Sequence, residues 1–351
     1  SHAAGEVAPI TELKEKLENI SEEEAAVLSE LFSLEQEIAA LEADELRISD
    51  EINQLQRSIL DLEKSIQEKQ EAYDNQCEIL KQVLVNYQRR GPASYIEILL
   101  RAKDFSSFIK SLNIIKDISH NTNELLKELK EGQKQLNEKK ASLETENALL
   151  EQKRTELAND IHKKMQLQQQ KEEYLASLKQ DGEYYLSQLE LVSGMWENCK
   201  KLFSEMSKDI ADIINAGLFA VDDLNLKLGF FNISGYIEEE TFNRVLSDNS
   251  NLTETVFEFE EGRVKIEVPS ERLLLIGNFV ITGKSEVTFE AEEGYFYDLP
   301  LEKSSIDEIF MNGPLTINFD LIADDIIVID FKITDVTSND GTLDFVVVPQ
   351  F

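Results

Sequence analysis

Catalysis needs a nucleophile, a base or a set of metal ligands, and this chain offers little of each. Its histidines are His2, His120 and His162. The last two fall on or beside long helical patterns, with no cysteine or carboxylate partner at ligand spacing, so they read as solvated. Cys-x-x-Cys and His-x-His zinc spacings are absent. A Cys/His nucleophile pair would need a histidine in the C-terminal part, and residues 209–351 contain none. No Gly-x-x-x-x-Gly-Lys phosphate loop is present. Cys77 and Cys199 are too few for a disulfide framework and are expected to be free thiols. Three acidic clusters, Glu238-Glu239-Glu240, Glu258-Phe259-Glu260-Glu261 and Asp324-Asp325, present oxygens of the kind that hold calcium or attack a glycoside. None has the spacing of a known calcium loop, and acids this abundant cluster by chance on a solvated rim. The expectation is a chain with no catalytic residue, no metal and no cofactor, hence not an enzyme.

The charge narrows the partners. The formal net charge is −34 over 351 residues. From Asp209 onward there are 29 acidic and 8 basic residues, a balance of −21 that leaves −13 for the rest. Nucleic acid and anionic lipid would be repelled. No run of about 18 apolar residues is present to span a membrane. A start at Ser1 without Met fits a processed terminus, with a signal peptide removed.

With so little to position for catalysis, the helices that dominate the chain need another purpose. From Leu13 to Tyr87 apolar residues step by threes and fours through Leu31, Ile38, Ile48, Ile52, Ile59, Ile66, Tyr73 and Leu80. Such a seam, held over about ten heptads, predicts a coiled-coil arm about 110 Å long at 1.5 Å per residue. A second seam runs from Leu125 through Leu136, Leu150, Ile161 and Leu178 to Trp196 and Phe203, thinned by Gly132 and Gly182. Between them Gly91-Pro92 must break a helix. Arms of equal length about such a break predict an antiparallel hairpin, with arms at about 10–88 and 121–208. The tip at about 89–120 is expected to be a small packed knot of helices. Tyr95, Ile96, Leu99 and Leu100 fit one apolar face, and Phe105, Phe108, Ile109, Leu112, Ile115 and Ile118 another.

After Lys208 the period changes from helical to alternating. Two short helices are predicted, near Glu238–Leu246 and Ser304–Met311. Six or seven strands are predicted, among them Val256–Phe259 and Val264–Val268 joined at Glu261-Gly262, Leu273–Ile281, Glu286–Ala291, Leu315–Ile322, Ile326–Val336 and Leu343–Val348. The fold class is therefore α+β multidomain. It comprises a long antiparallel α-helical coiled-coil hairpin with a small helical tip over residues 8–208, then a separate antiparallel β-rich α+β domain over 209–351.

The tip carries a resemblance. Asn86-Tyr-Gln-Arg-Arg-Gly-Pro-Ala-Ser-Tyr-Ile-Glu-Ile-Leu-Leu-Arg-Ala-Lys-Asp-Phe-Ser-Ser-Phe-Ile109 resembles bacterial PcsB/CwlO-type secreted coiled coils and, more loosely, EnvC. Leu125-Leu-Lys-Glu-Leu-Lys130 in the return arm is similar too. The resemblance covers about residues 10–180. It implies a cell-envelope, extracytoplasmic protein of cell division, whose rod engages the outer domain of FtsX, the membrane partner of FtsE, and controls peptidoglycan hydrolysis. Family members end in a CHAP, NlpC-type or LytM-type hydrolase domain. This chain ends in the acidic β-rich domain instead, so only the regulatory rod carries over.

The function expected is thus non-enzymatic regulation of peptidoglycan hydrolysis through an FtsX-like membrane protein. Tyr95, Ile98, Leu99, Phe105, Phe108 and Leu112 are the candidate partner contact, and a hydrolase or wall component is the candidate partner of the C-terminal domain. The competing expectation is an envelope lipid- or glycolipid-binding protein with the coil as spacer. It draws on a faint similarity of the helix-then-strands order to tubular lipid-binding domains, and it requires an apolar tunnel in the C-terminal part.

Overall fold

The computed structural model describes residues 3–249, 254–323 and 329–350. The chain divides into two compact units: residues 43–161, and residues 1–42 together with 162–351.

The first of these units is a helical hairpin. It is built from the greater part of helix α2 (Glu22–Leu100) and of helix α3 (Phe105–Ser177). The arms are antiparallel and in constant register. Glu51 meets Lys153 at 2.8 Å, Ser65 meets Lys139 at 2.9 Å, Lys69 meets Gln135 at 2.7 Å and Gln76 meets Glu128 at 3.2 Å. One arm thus advances by 14, 4 and 7 residues while the other retreats by the same steps. Ile48, Ile52 and Ile59 bury their side chains with Leu150, flanked by Leu55, Leu143 and Leu157. The Lys153 ammonium, then Arg47, holds the Glu51 carboxyl below its ordinary range. Charge pairs of this kind flank a seam and set direction and register more than stability.

The second unit packs helices on two sheets. Helix α1 (Ala3–Glu18) ends before α2 begins, so the first arm is not continuous from Leu13. Ser21 explains the break: its hydroxyl accepts from the Glu24 amide at 3.2 Å, and the Glu24 carboxylate accepts from the Ser21 amide at 3.4 Å. That reciprocal cap starts a new helix. The return arm is broken as well. α3 stops at Ser177, a 3-10 turn follows at Lys179–Asp181, and α4 (Gly182–Ile214) begins. A Cβ at Gly182 would lie 2.6 Å from the Leu175 carbonyl oxygen, so the junction requires glycine.

α4 runs through Lys208 without interruption and buries Trp196, Cys199, Phe203, Met206 and Ile210 in the apolar cluster shared with the sheets. Trp196 packs on Phe296 with ring centres 5.3 Å apart, and Phe203 on Phe310 at 5.7 Å. These residues continue the heptad phase, yet their partners are aromatic side chains of the β-rich part.

Ten strands occur among the described residues. The four-stranded sheet is ordered β1 (Lys227–Leu228), β2 (Ile233–Glu238), β10 (Thr342–Pro349), β9 (Phe331–Asn339). The larger sheet runs β3 (Val256–Glu260), β4 (Arg263–Val268), β5 (Leu273–Ile281), β6 (Glu286–Phe296), β7 (Leu299–Pro300), with β8 (Thr316–Asn318) also paired to β6. Every pairing is antiparallel. The expected strand over Leu315–Ile322 is only half strand. Asn318 accepts from the Asp320 amide at 3.0 Å and caps a short helix, α7 (Phe319–Ile322). The expected strand at Ile326–Val336 begins at Phe331 instead; residues 326–328 lie outside the described residues. α5 (Glu239–Asn249) and α6 (Lys303–Ile309) match the two expected helices. Phe242 of α5 fills the space over the sheet, 4.9 Å from the Phe257 ring and 5.5 Å from Phe259, where the lipid reading called for a tunnel.

Candidate docking surface at the hairpin tip

The tip is made by the end of α2, a turn at Arg101–Asp104 and the start of α3. Gly91 interrupts α2 with φ 63° and ψ 161°, a conformation open essentially to glycine alone. The chain does not reverse there. It resumes helix through Leu100 and turns ten residues further on, where the register of the arms places its midpoint. Asp104 closes the turn by accepting from the Ser107 amide at 2.7 Å. That amide and the Ser107 hydroxyl hold its carboxyl below the usual range. A cap of this sort satisfies one of the orphan donors at a helix start.

The expected packed knot is not formed. Leu100 is 80% exposed and Phe105 77% exposed. Of the six residues singled out from the sequence, Ile98, Phe105, Phe108 and Leu112 are exposed, while Tyr95 and Leu99 are half-buried. Tyr95 stacks on Tyr87 across the glycine break, ring centres 6.0 Å apart. Leu84, Ile96, Ile109, Ile114 and Ile118 are exposed as well and were missed as surface candidates. A signal for them existed. Ile96, Ile98, Leu99 and Leu100 spread apolar side chains around most of a turn that holds Glu97 as its polar residue, and a two-helix hairpin has one partner helix to cover one stripe. The second amphipathic piece, Phe105–Ile118, is the beginning of α3 rather than a separate element. Isolated exposed leucines are ordinary, but a contiguous apolar surface marks an interaction site.

Residues 59–139 match the family model for the coiled-coil domain of the peptidoglycan hydrolase PcsB. The match spans the tip and the adjoining parts of both arms, so the resemblance expected of this segment is met there. The PcsB-type segment is under a quarter of the chain, and the β-rich part lies outside it. No curated protein matches the chain.

Other candidate sites resolve into structural groups. Among the described residues, no cluster of His, Cys, Asp or Glu is arranged to hold a metal. His120 and His162 are exposed. Glu239 accepts from the Phe259 amide at 2.7 Å, Asp340 from the Glu261 amide at 3.3 Å, and Glu260 pairs with Arg263 and Lys265. These acids tie loops together. Asp324-Asp325 lies outside the described residues. Both cysteines are free, and burial, then Glu271, pushes the Cys199 thiol up to about 12, which makes it inert. No described helix is long and apolar enough to cross a membrane.

Proposed function

We propose that this chain is a non-catalytic, extracytoplasmic regulator of peptidoglycan hydrolysis. In this reading its hairpin tip docks on the extracellular domain of an FtsX-type membrane protein, and the β-rich part engages a hydrolase or a wall component. One observation carries the docking step: Leu100 and Phe105 are largely exposed, and Phe108 and Leu112 partly so, around the turn within a segment similar to the PcsB coiled coil. Along the arms the seam residues from Ile48 to Val83 are buried or half-buried, and the fold gives no such cover to Phe105 at the turn. Burying a fully exposed side chain of this kind is worth about 1.5–3 kcal/mol; Leu100 and Phe105 approach that gain and the partly covered Phe108 and Leu112 add less, a contribution set against the costs of docking.

The test is a pulldown on an immobilised outer domain of such a membrane protein. The full chain is expected to be retained. Phe105→Glu with Phe108→Glu is expected to abolish retention and leave the helical circular dichroism unchanged. Retention of the double variant at wild-type level removes the tip from the reading.

A further inference from the structure

A second bare apolar feature lies in the β-rich part, on the hairpin joining β1 to β2. Lys227 pairs with Ser234 and Leu228 with Ile233, and the Gly229 amide donates to the Asn232 carbonyl at 2.8 Å. Phe230 and Phe231 occupy the two central positions of that closed turn. Such positions ordinarily hold glycine, asparagine or aspartate. Phe230 is 101% exposed, Phe231 87% and Leu228 84%. Among the described residues neither ring has an aromatic partner, and both stand outward at the end of the hydrogen-bonded turn.

Charge indicates what covers them. From Leu224 to Ile237 no acid occurs and Lys227 is the one ionised residue, in a region where 29 acids stand against 8 bases. An acidic surface is repelled by phosphate headgroups. This fingertip is a stretch from which that repulsion is missing, and exposed Lys227 stands beside Leu228 as a cation at headgroup level. A convex apolar point with a basic shoulder suits a soft medium that closes around it. A second copy of the chain is a poorer fit, because β1 is two residues long and offers almost no edge to extend.

We infer that the β1–β2 hairpin is a membrane-docking finger, with Leu228, Phe230 and Phe231 entering the interfacial region of a lipid bilayer and Lys227 meeting its phosphates. The contact is shallow and driven by apolar burial, so it works on zwitterionic lipid. It is independent of the hairpin tip.

The experiment is flotation of the full chain with phosphatidylcholine vesicles. Wild type is expected to float. Phe230→Ser with Phe231→Ser is expected to lower the bound fraction at least tenfold, while Phe105→Glu with Phe108→Glu floats as wild type does. Phe231→Trp adds an exposed indole to the buried Trp196, and its emission is expected to shift to the blue on vesicle addition. Absence of flotation overturns the inference, as does flotation that survives the serine pair. A dimer in gel filtration that the serine pair converts to monomer overturns it in favour of a second copy.

Discussion

Helix α2 uses the same kinds of residue at its two ends and treats them oppositely. Near its start, Leu28, Leu31 and Phe32 are buried, Phe32 to 1% exposure, in the apolar cluster that α4 shares with the sheets. Near its end, Ile96, Ile98 and Leu100 stand in water, as does Phe105 at the start of α3. Spacing by threes and fours establishes that a helix has an apolar face. It does not establish what covers that face, because the cover is supplied by residues far away in sequence or by another molecule altogether.

Stability measurements can break this contrast. Phe32→Ala is expected to cost about 3–5 kcal/mol, as for buried aromatic side chains in general, read from urea denaturation. A loss below about 1 kcal/mol would mean that the base is no better packed than the tip. Gly91→Ala comes next. Its φ of 63° with ψ 161° penalises any Cβ although, among the described residues beyond its chain neighbours, no atom lies within 4 Å of one, so the cost is backbone strain of about 1–3 kcal/mol. An unchanged midpoint would show that the break relaxes into regular helix.

Asp104 gives a smaller, local effect. Its carboxyl is held below the ordinary range, so the cap is complete above the unfolded carboxylate pKa near 4 and is lost as pH falls through the lower folded value. Amide signals of Ser107 and Phe108 are expected to move in that window, and Asp104→Asn to flatten the titration. Smallest of all, Phe105→Ala is expected to leave stability within about 0.5 kcal/mol of wild type. A larger loss would mean that the tip packs after all.

Much of the architecture was legible because it rests on local periodicity. The two seams, the antiparallel return and strand β5 over Leu273–Ile281 were all readable from spacing. Breaks that depend on caps were harder to read. Ser21 with Glu24, and Gly182 against the Leu175 carbonyl, are short signals inside strong heptad patterns, and the patterns dominate the eye. Strand β2 escaped because Gly235 takes one of its inward positions. A side chain there would meet the Phe345 ring at 2.6 Å, so packing forces a residue of low strand propensity. Trp196 and Phe203 keep the phase of the coil, so spacing alone places them in it; the distant Phe296 and Phe310 are their neighbours in the fold. At the tip, residue types announced an apolar surface, whereas its nakedness is a property of three dimensions.

The constant pairing of the two arms has a quantitative corollary. Glu51 and Ser65 are 14 residues apart, as are their partners Lys153 and Lys139. Fourteen is two heptads, so excising 52–65 together with 139–152 would rejoin both strands in phase, shorten the hairpin by about 21 Å and leave its turn untouched. Reach is in this sense a ruler graduated in heptads, adjustable by matched insertions or deletions without redesigning the residues at its end.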